Sequence, residues 1–354
     1  MPFKLNLIVK VTTGNYSYIL LEFVGIIRLP LQSTTIKSIN MTMLKKPIFL
    51  VGAERSGTTL LRLMLDSHPQ IAFNQDFKFA VSQIDDSKNW PDLPSYYEYL
   101  SYNRIFLHSN FSIDKNLSYP ELVNSFLVQQ RERDKKPIIG AVVHYHFDRL
   151  LQIWPDAKFI HICRDGRDVA RSSIVMGWAG NMFTGVETWI TAELLWQKFN
   201  TQLSSEQKLT VYYESLIQNS DEVLTQICNF IEVPFDNAMY NYAQHTTYSL
   251  PEPHLIEQWR RKLSNDEIQL AESRISTLLE ERGYQLSGLP LLKITPWMRW
   301  RMLTSSRWTR KLFRIRRYGF RLYLASVLSC RLPFKSWQKN VQLKLNAIEQ
   351  KHCK

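Results

Sequence analysis

The residues best placed to do chemistry stand together in Gly52-Ala-Glu-Arg-Ser-Gly-Thr-Thr59. Gly52 and Gly57 let a backbone turn tightly and approach a ligand closely. Arg55 brings a permanent charge, and Ser56, Thr58 and Thr59 bring hydroxyl donors. The apolar run Pro47–Val51 ends at Gly52, and apolar residues at helical spacing follow from Thr58. A loop between a strand and a helix surrounds a small anion with free amides and the positive end of a helix. That is phosphate-binding chemistry. A nucleotide triphosphatase loop would carry Lys where Thr58 stands. Here the cation sits earlier, at Arg55, so the lysine that reaches β and γ phosphates is missing. The same glycines would also serve an ordinary strand–turn–helix connection.

A second group follows the run Lys158–Cys163, within Arg164-Asp-Gly-Arg-Asp-Val-Ala-Arg-Ser172. Arg164 falls at the carboxyl end of an expected strand, where open α/β sheets bind ligands. Ser172 lies two helical turns on, facing back toward that strand end. An Arg fork and a compact hydroxyl so placed can hold one more phosphate. Asp165, Arg167 and Asp168 read equally well as a helix cap and a solvated ion pair.

These groups need a parallel sheet to position them. Strand and helix signals alternate, with strands expected at Pro47–Val51, Pro137–Val143, Lys158–Cys163 and Lys208–Tyr213. Helices are expected over Thr58–Asp66, from Ser118 to about Asp134, over Phe147–Trp154, through about Met176, and over Thr184–Leu203 and Asp221–Ile231. Ser118-Tyr-Pro-Glu121 and Ser264-Asn-Asp-Glu267 are capping boxes that open helices. Residues 82–117 look irregular and aromatic, as a segment covering a substrate would. The expected fold is α/β: a P-loop-like three-layer arrangement around a central parallel sheet, with a helical basic C-terminal extension. The expected division is a poorly structured leader over 1–43, a catalytic domain over 44–290 and the extension over 291–354.

Two separated anion sites imply a nucleoside with phosphates at both ends, and here the chain resembles the sulfotransferase superfamily. Arg55-Ser-Gly-Thr-Thr59 looks like that family's loop for a 5′-phosphosulfate. Arg164 with Ser172 looks like its pair for a 3′-phosphate, and Val211-Tyr-Tyr-Glu-Ser215 like its strand-end motif, with Tyr213 near adenosine. Trp259-Arg-Arg-Lys262 resembles the late segment that closes over the nucleotide, which brings Arg260 and Arg261 into the set. The likeness runs over roughly 46–285 and is closest to the bacterial and tyrosylprotein branch. It implies transfer of a sulfuryl group from 3′-phosphoadenylyl sulfate (PAPS) to a hydroxyl or amine, by in-line displacement and without a metal. Arg55 would steady the leaving phosphate. That branch places a glutamate base twenty-one residues beyond its loop arginine; counted from Arg55 the position is Asp76. Asp is roughly 1.5 Å shorter in reach. His144 and His146, just after the strand Pro137–Val143, are rival bases. The family often carries a catalytic lysine there, which Gly140-Ala-Val-Val-His-Tyr-His146 lacks, so Arg55 would act alone on the leaving group or His144 would stand in. Two other readings remain: a nucleotide-binding, membrane-associated protein without activity, and a degenerate P-loop kinase.

The formal net charge of +12 is unevenly spread. Residues 293–340 hold thirteen Lys/Arg and no Asp/Glu, and 341–354 add three Lys and one Glu, so 293–354 carries +15 and leaves −3 to the rest. Basicity therefore does not argue for nucleic acid. Interleaved Trp297, Trp300, Trp308 and Phe313 suit an amphipathic segment on an anionic membrane, or a helical subdomain with a solvated basic face. The run Tyr18–Leu31 is too short to span a bilayer and contains Glu22 and Arg28. No Cys pair suggests zinc or a disulfide framework, which points to a reducing, cytoplasmic setting with Cys163 and Cys228 in the core.

Overall fold

The computed structural model describes Val11–Thr13, Tyr16–Tyr18 and residues 43–352. The two short N-terminal strands, β1 (Val11–Thr13) and β2 (Tyr16–Tyr18), pair antiparallel. The rest of the expected leader over 1–43, up to residue 42, lies outside the described residues.

The body is built on five parallel strands: β3 (Ile48–Val51), β4 (Ile71–Asp76), β5 (Ile138–Val143), β6 (Lys158–Cys163) and β7 (Lys208–Tyr212). Their order is β4-β5-β3-β6-β7. Ile-Phe-Leu-Val of β3 is buried throughout, because helices cover both faces of a parallel sheet. Leu50 pairs with Val142 on one side and Ile160 on the other. Phe49, Val51 and Phe159 face a core with Trp154 and Phe126. Leu50, Ile160 and Val211 face the opposite core with Leu61, Leu65 and Leu224. Strands β4 and β5 lie on one side of β3, and β6 and β7 on the other, so a crevice opens at the carboxyl end of β3, which leads into the Gly52–Thr59 loop.

The expected strands and helices are present, with five differences. β4 was not foreseen: its apolar start, Ile-Ala-Phe, gives way to Asn74, Gln75 and Asp76, which breaks the run. Residues 82–117 are not irregular, since helices Leu93–Leu100 and Arg104–Ser109 bury Tyr96, Leu100 and Phe106. Phe147–Gln152 is a 3-10 turn, and a short helix, Met182–Gly185, precedes the longer Glu187–Phe199. β7 stops at Tyr212, and Tyr213 opens the helix Tyr213–Gln218.

The C-terminal extension forms three helices, Pro296–Tyr318, Phe320–Ser329 and Lys335–His352. They rest on the body. Ser306 Oγ accepts from the Gly180 amide at 3.0 Å, Asn181 Nδ2 donates to the Met302 carbonyl at 2.7 Å, and Asn346 Nδ2 donates to the Tyr102 carbonyl at 2.8 Å. No helix among the described residues is long and apolar enough to cross a membrane.

Candidate functional site

The loop after β3 has the shape an anion cradle needs. Arg55 holds a left-handed φ of 75°, and Gly57 one of 92° as the cap of helix Thr58–Ser67. Gly57 offers no side chain to that helix end, so its first amides stay available. A Cβ there would lie 2.2 Å from the Tyr213 ring, so glycine is required both by φ and by space. Ser56 is fully buried, and its Oγ has no partner among the described residues. A buried, unpaired hydroxyl in such a loop is what an absent phosphate oxygen would satisfy.

Arg164 forms the other wall. Its Nη1 donates to the Arg55 carbonyl at 3.1 Å and its Nη2 to the Leu255 carbonyl at 3.2 Å. The guanidinium lies 4.2 Å from the Tyr213 ring centroid and 3.6 Å from Asp168 Oδ2, while Nε has no partner among the described residues. Burial raises the Asp168 carboxyl above its usual range, against the opposing pull of Arg164. Asp168 also accepts from the amides of Gln258 at 3.2 Å and Trp259 at 2.7 Å, which pins the segment 258–259. Asp165 and Arg167 are structural: Arg167 is buried between Asp165 and Glu272 and stacks on Trp259.

Arg55, Gly57, Thr58, Thr59, Arg164 and Tyr213 line one cavity of about 300 Å³, closed by Thr247–Ser249 and Glu252–Leu255. Three placements differ from expectation. Ser56 is buried beneath the loop and not on the wall. Ser172 is not on the wall either; its Oγ accepts from Arg55 Nε at 2.9 Å, so it holds the loop arginine. Arg260 and Arg261 also lie off the wall. Arg260 pairs with Glu257 at 3.1 Å, and Arg261 donates to the His254 carbonyl at 2.7 Å, bracing the closing segment. Residues 247–255 carried no motif in the sequence: Pro251, Glu252 and Pro253 mark a loop without telling what it covers.

A second cavity, about 790 Å³, opens on the other side of the loop. Its inner end holds Glu54, Asp76, Lys78 and Tyr145. Asp76 stands at the end of β4, 3.3 Å from Lys78 Nζ, and its Oδ1 accepts from the Lys78 amide at 3.0 Å. Lys78 Nζ is also 4.0 Å from Glu54, and Tyr145 donates to Glu54 Oε2 at 2.7 Å. Burial lowers the Lys78 pKa, but Asp76 and Glu54 outweigh it and raise it overall. Burial and then Glu54 raise the Tyr145 phenol well above its ordinary value. Glu54 was missed because nothing in a loop sequence tells which way a side chain turns.

His144 does not join this group. It is buried behind the loop, with Nδ1 3.0 Å from the Gly52 carbonyl, and neither cavity includes it. His146 is exposed. The far wall of the second cavity includes Gly177 and Trp178, and the C-terminal residues Arg310, Phe313, Arg314 and Arg317. Among the described residues no cluster of three His, Cys, Asp or Glu could hold a metal ion.

A model of the sulfotransferase family matches residues 47–237, more than half of the chain. The protein-tyrosine sulfotransferase of Drosophila melanogaster is 26% identical over 216 residues, which cover 56% of this chain and 40% of that protein. Protein-tyrosine sulfotransferase A of Caenorhabditis elegans is 24% identical over 208 residues, covering 56% of this chain and 52% of that one. The chain thus spans about half the length of these curated relatives. Among solved structures, the sulfotransferase domain from the curacin biosynthetic pathway overlaps 69% of this chain and 100% of its own, at 18% identity and a TM-score of 0.47.

Proposed function

The chain belongs to the sulfotransferase family, and from that membership we propose that it moves a sulfuryl group from PAPS to a hydroxyl or amine of an acceptor held in the second cavity. One observation carries the reading. Adjacent residues of a single loop face different cavities: Arg55 lines the smaller and Glu54 the larger. The loop is thus a partition between a donor and an acceptor, which an in-line transfer needs.

PAPS supplies the activated sulfuryl group and a good leaving phosphate. The amides of helix Thr58–Ser67, with Ser56, Thr58 and Thr59, hold the phosphate end, and Arg164 holds the other phosphate. Tyr213 offers a ring face to the nucleoside. Arg55, aimed by Ser172, stabilises charge on the leaving side. Asp76 accepts the acceptor's proton, and its ion pair with Lys78 at 3.3 Å orients the carboxylate. His144 acts by fixing the Gly52 carbonyl and hence the loop. The relatives' names make a tyrosine phenol one candidate acceptor.

The C-terminal extension supports a membrane-peripheral placement. Trp297 and Trp300 stack at 4.9 Å and are exposed, as are Trp308, Phe320 and Phe334, all among cations. A reducing, cytoplasmic setting agrees with the free thiols of Cys163, Cys228 and Cys330.

Calorimetry with 3′-phosphoadenosine 5′-phosphate (PAP) against ATP tests the nucleotide assignment. Tighter binding of PAP is expected. A preference for ATP would return the P-loop kinase reading, and tight PAP binding without turnover would favour a protein that only binds the nucleotide.

A further inference from the structure

We propose that Arg310 and Arg314 form an anion-reading wall of the acceptor site, so that the acceptor carries a carboxylate, sulfate or phosphate group away from the reacting hydroxyl. The inference rests on the reading of the larger cavity as the acceptor site.

The argument starts with charge. The larger cavity is lined by the acids Glu54, Asp76 and Glu349, and each already faces a cation or phenol. Lys78 serves Asp76 and Glu54. Arg317 lies 3.6 Å from Glu349, which also accepts from the Tyr318 hydroxyl. Arg104, also on the wall, donates to Gln350 Oε1 at 3.2 Å. Among the described residues Arg310 and Arg314 have no carboxylate within ion-pair distance. Both come from the extension, which carries +15 while residues 1–292 carry −3. The positive surplus of this cavity is therefore imported from outside the family-matching segment.

Helix geometry sharpens the point. Arg310, Arg314 and Arg317 recur at spacings of four and three, which stacks them on one helix face. Like charges so placed repel, at a cost of a few tenths of a kcal/mol per pair. Both side chains are exposed, and they line the concavity from its solvent side on a helix that Ser306 and Asn181 lock to the body. Guanidinium groups at a concave site suit oxyanions, which they can bind through two parallel hydrogen bonds. Near the arginines, Thr188 Oγ1 adds a buried hydroxyl without a partner among the described residues.

The test compares 3-(4-hydroxyphenyl)propionate, its uncharged amide, tyramine and a phosphate monoester on the same phenol skeleton. Binding of each to the PAP-saturated protein is measured by calorimetry, and transfer from PAPS in parallel, for wild type and the Arg310→Ala/Arg314→Ala double variant. The anions are expected to bind at least roughly tenfold tighter than the amide and tyramine, with the phosphate ahead of the carboxylate if the wall prefers a dianion. The double variant should lose that preference while its PAP affinity and melting temperature stay unchanged. An Arg310→Lys/Arg314→Lys variant should keep part of it. Charge-blind binding, no binding of any compound, or a preference that survives in the double variant overturns the proposal. Anion-selective binding without transfer would leave the wall standing and count against the transferase reading instead.

Discussion

Arg55 Nε donates to Ser172 Oγ at 2.9 Å, across 117 positions of sequence. The bond joins the loop after β3 to the helix Gly166–Val175, and it sets the angle of the one cation that the loop owns. Arg55→Ala should lower the single-turnover rate by roughly 10²–10³-fold, the usual loss for a donor aimed at developing charge. Ser172→Ala leaves the cation but not its aim, and about tenfold is expected. Equal losses in rate for both would mean that Ser172 does more than orient Arg55.

Asp76 and His144 separate base from scaffold. Asp76→Asn should slow transfer at least roughly tenfold, about 1.4 kcal/mol, and flatten the acid limb of the pH–rate profile. His144→Gln should weaken PAP binding and leave that limb in place, because its partner is the Gly52 carbonyl. A flattened limb in the histidine variant alone would reverse the two roles.

Gly57 is irreplaceable for two reasons at one atom. Its φ is 92°, and a Cβ would sit 2.2 Å from Tyr213. Gly57→Ala should cut PAP affinity by more than roughly tenfold, read by calorimetry. Pairing it with Tyr213→Ala restores space but not φ, so affinity should stay low. Full recovery in the pair would show that space alone mattered.

Glu193 gives a pH signature of stability. Burial opposes its charge, but His161 at 3.1 Å and Arg282 at 2.7 Å outweigh that and hold the carboxyl below its ordinary 4.5. A depressed folded pKa means stability present above about pH 4.5 and lost as pH falls through the folded value. Urea midpoints of wild type should drop steadily below that pH. Glu193→Gln should be less stable at neutral pH, by about 3–5 kcal/mol if the broken pair stays buried, and less sensitive to acid. Parallel curves for the two proteins would refute the linkage.

Vesicle sedimentation checks the membrane placement. At low salt, binding to phosphatidylserine vesicles is expected, and Trp297→Ala/Trp300→Ala/Trp308→Ala should reduce it severalfold. Failure of wild type to sediment removes the idea.

Much of this arrangement was legible in the residues. Parallel strands buried on both faces read as largely apolar runs, so β3, β5 and β6 stood out. β7, a partly exposed edge strand, was legible from its β-branched and aromatic residues. The loop and Arg164 were legible because glycines and cations at strand ends have few other uses. β4 was hidden because half of it is polar, as a strand that ends in a site must be. The partnership of Ser172 with Arg55, the turn of Glu54 away from Arg55, and the reach of Arg310 and Arg314 into the larger cavity all depend on contacts between distant segments. Local pattern does not encode such contacts.

Phe313 lies where a side chain on Gly177 would have to go, with its ring 2.2 Å from that Cβ position, and the Ser306 backbone does the same at Gly180, at 2.5 Å. The two segments therefore meet like a dovetail, the Phe313 ring filling the space over Gly177 and backbone meeting backbone at Gly180. Gly177 follows directly on the helix that carries Ser172. That close packing ties the helix carrying Ser172 to the arginine-bearing helix. The two halves of the site share a mechanical frame, although the chain that builds them is separated by more than a hundred residues.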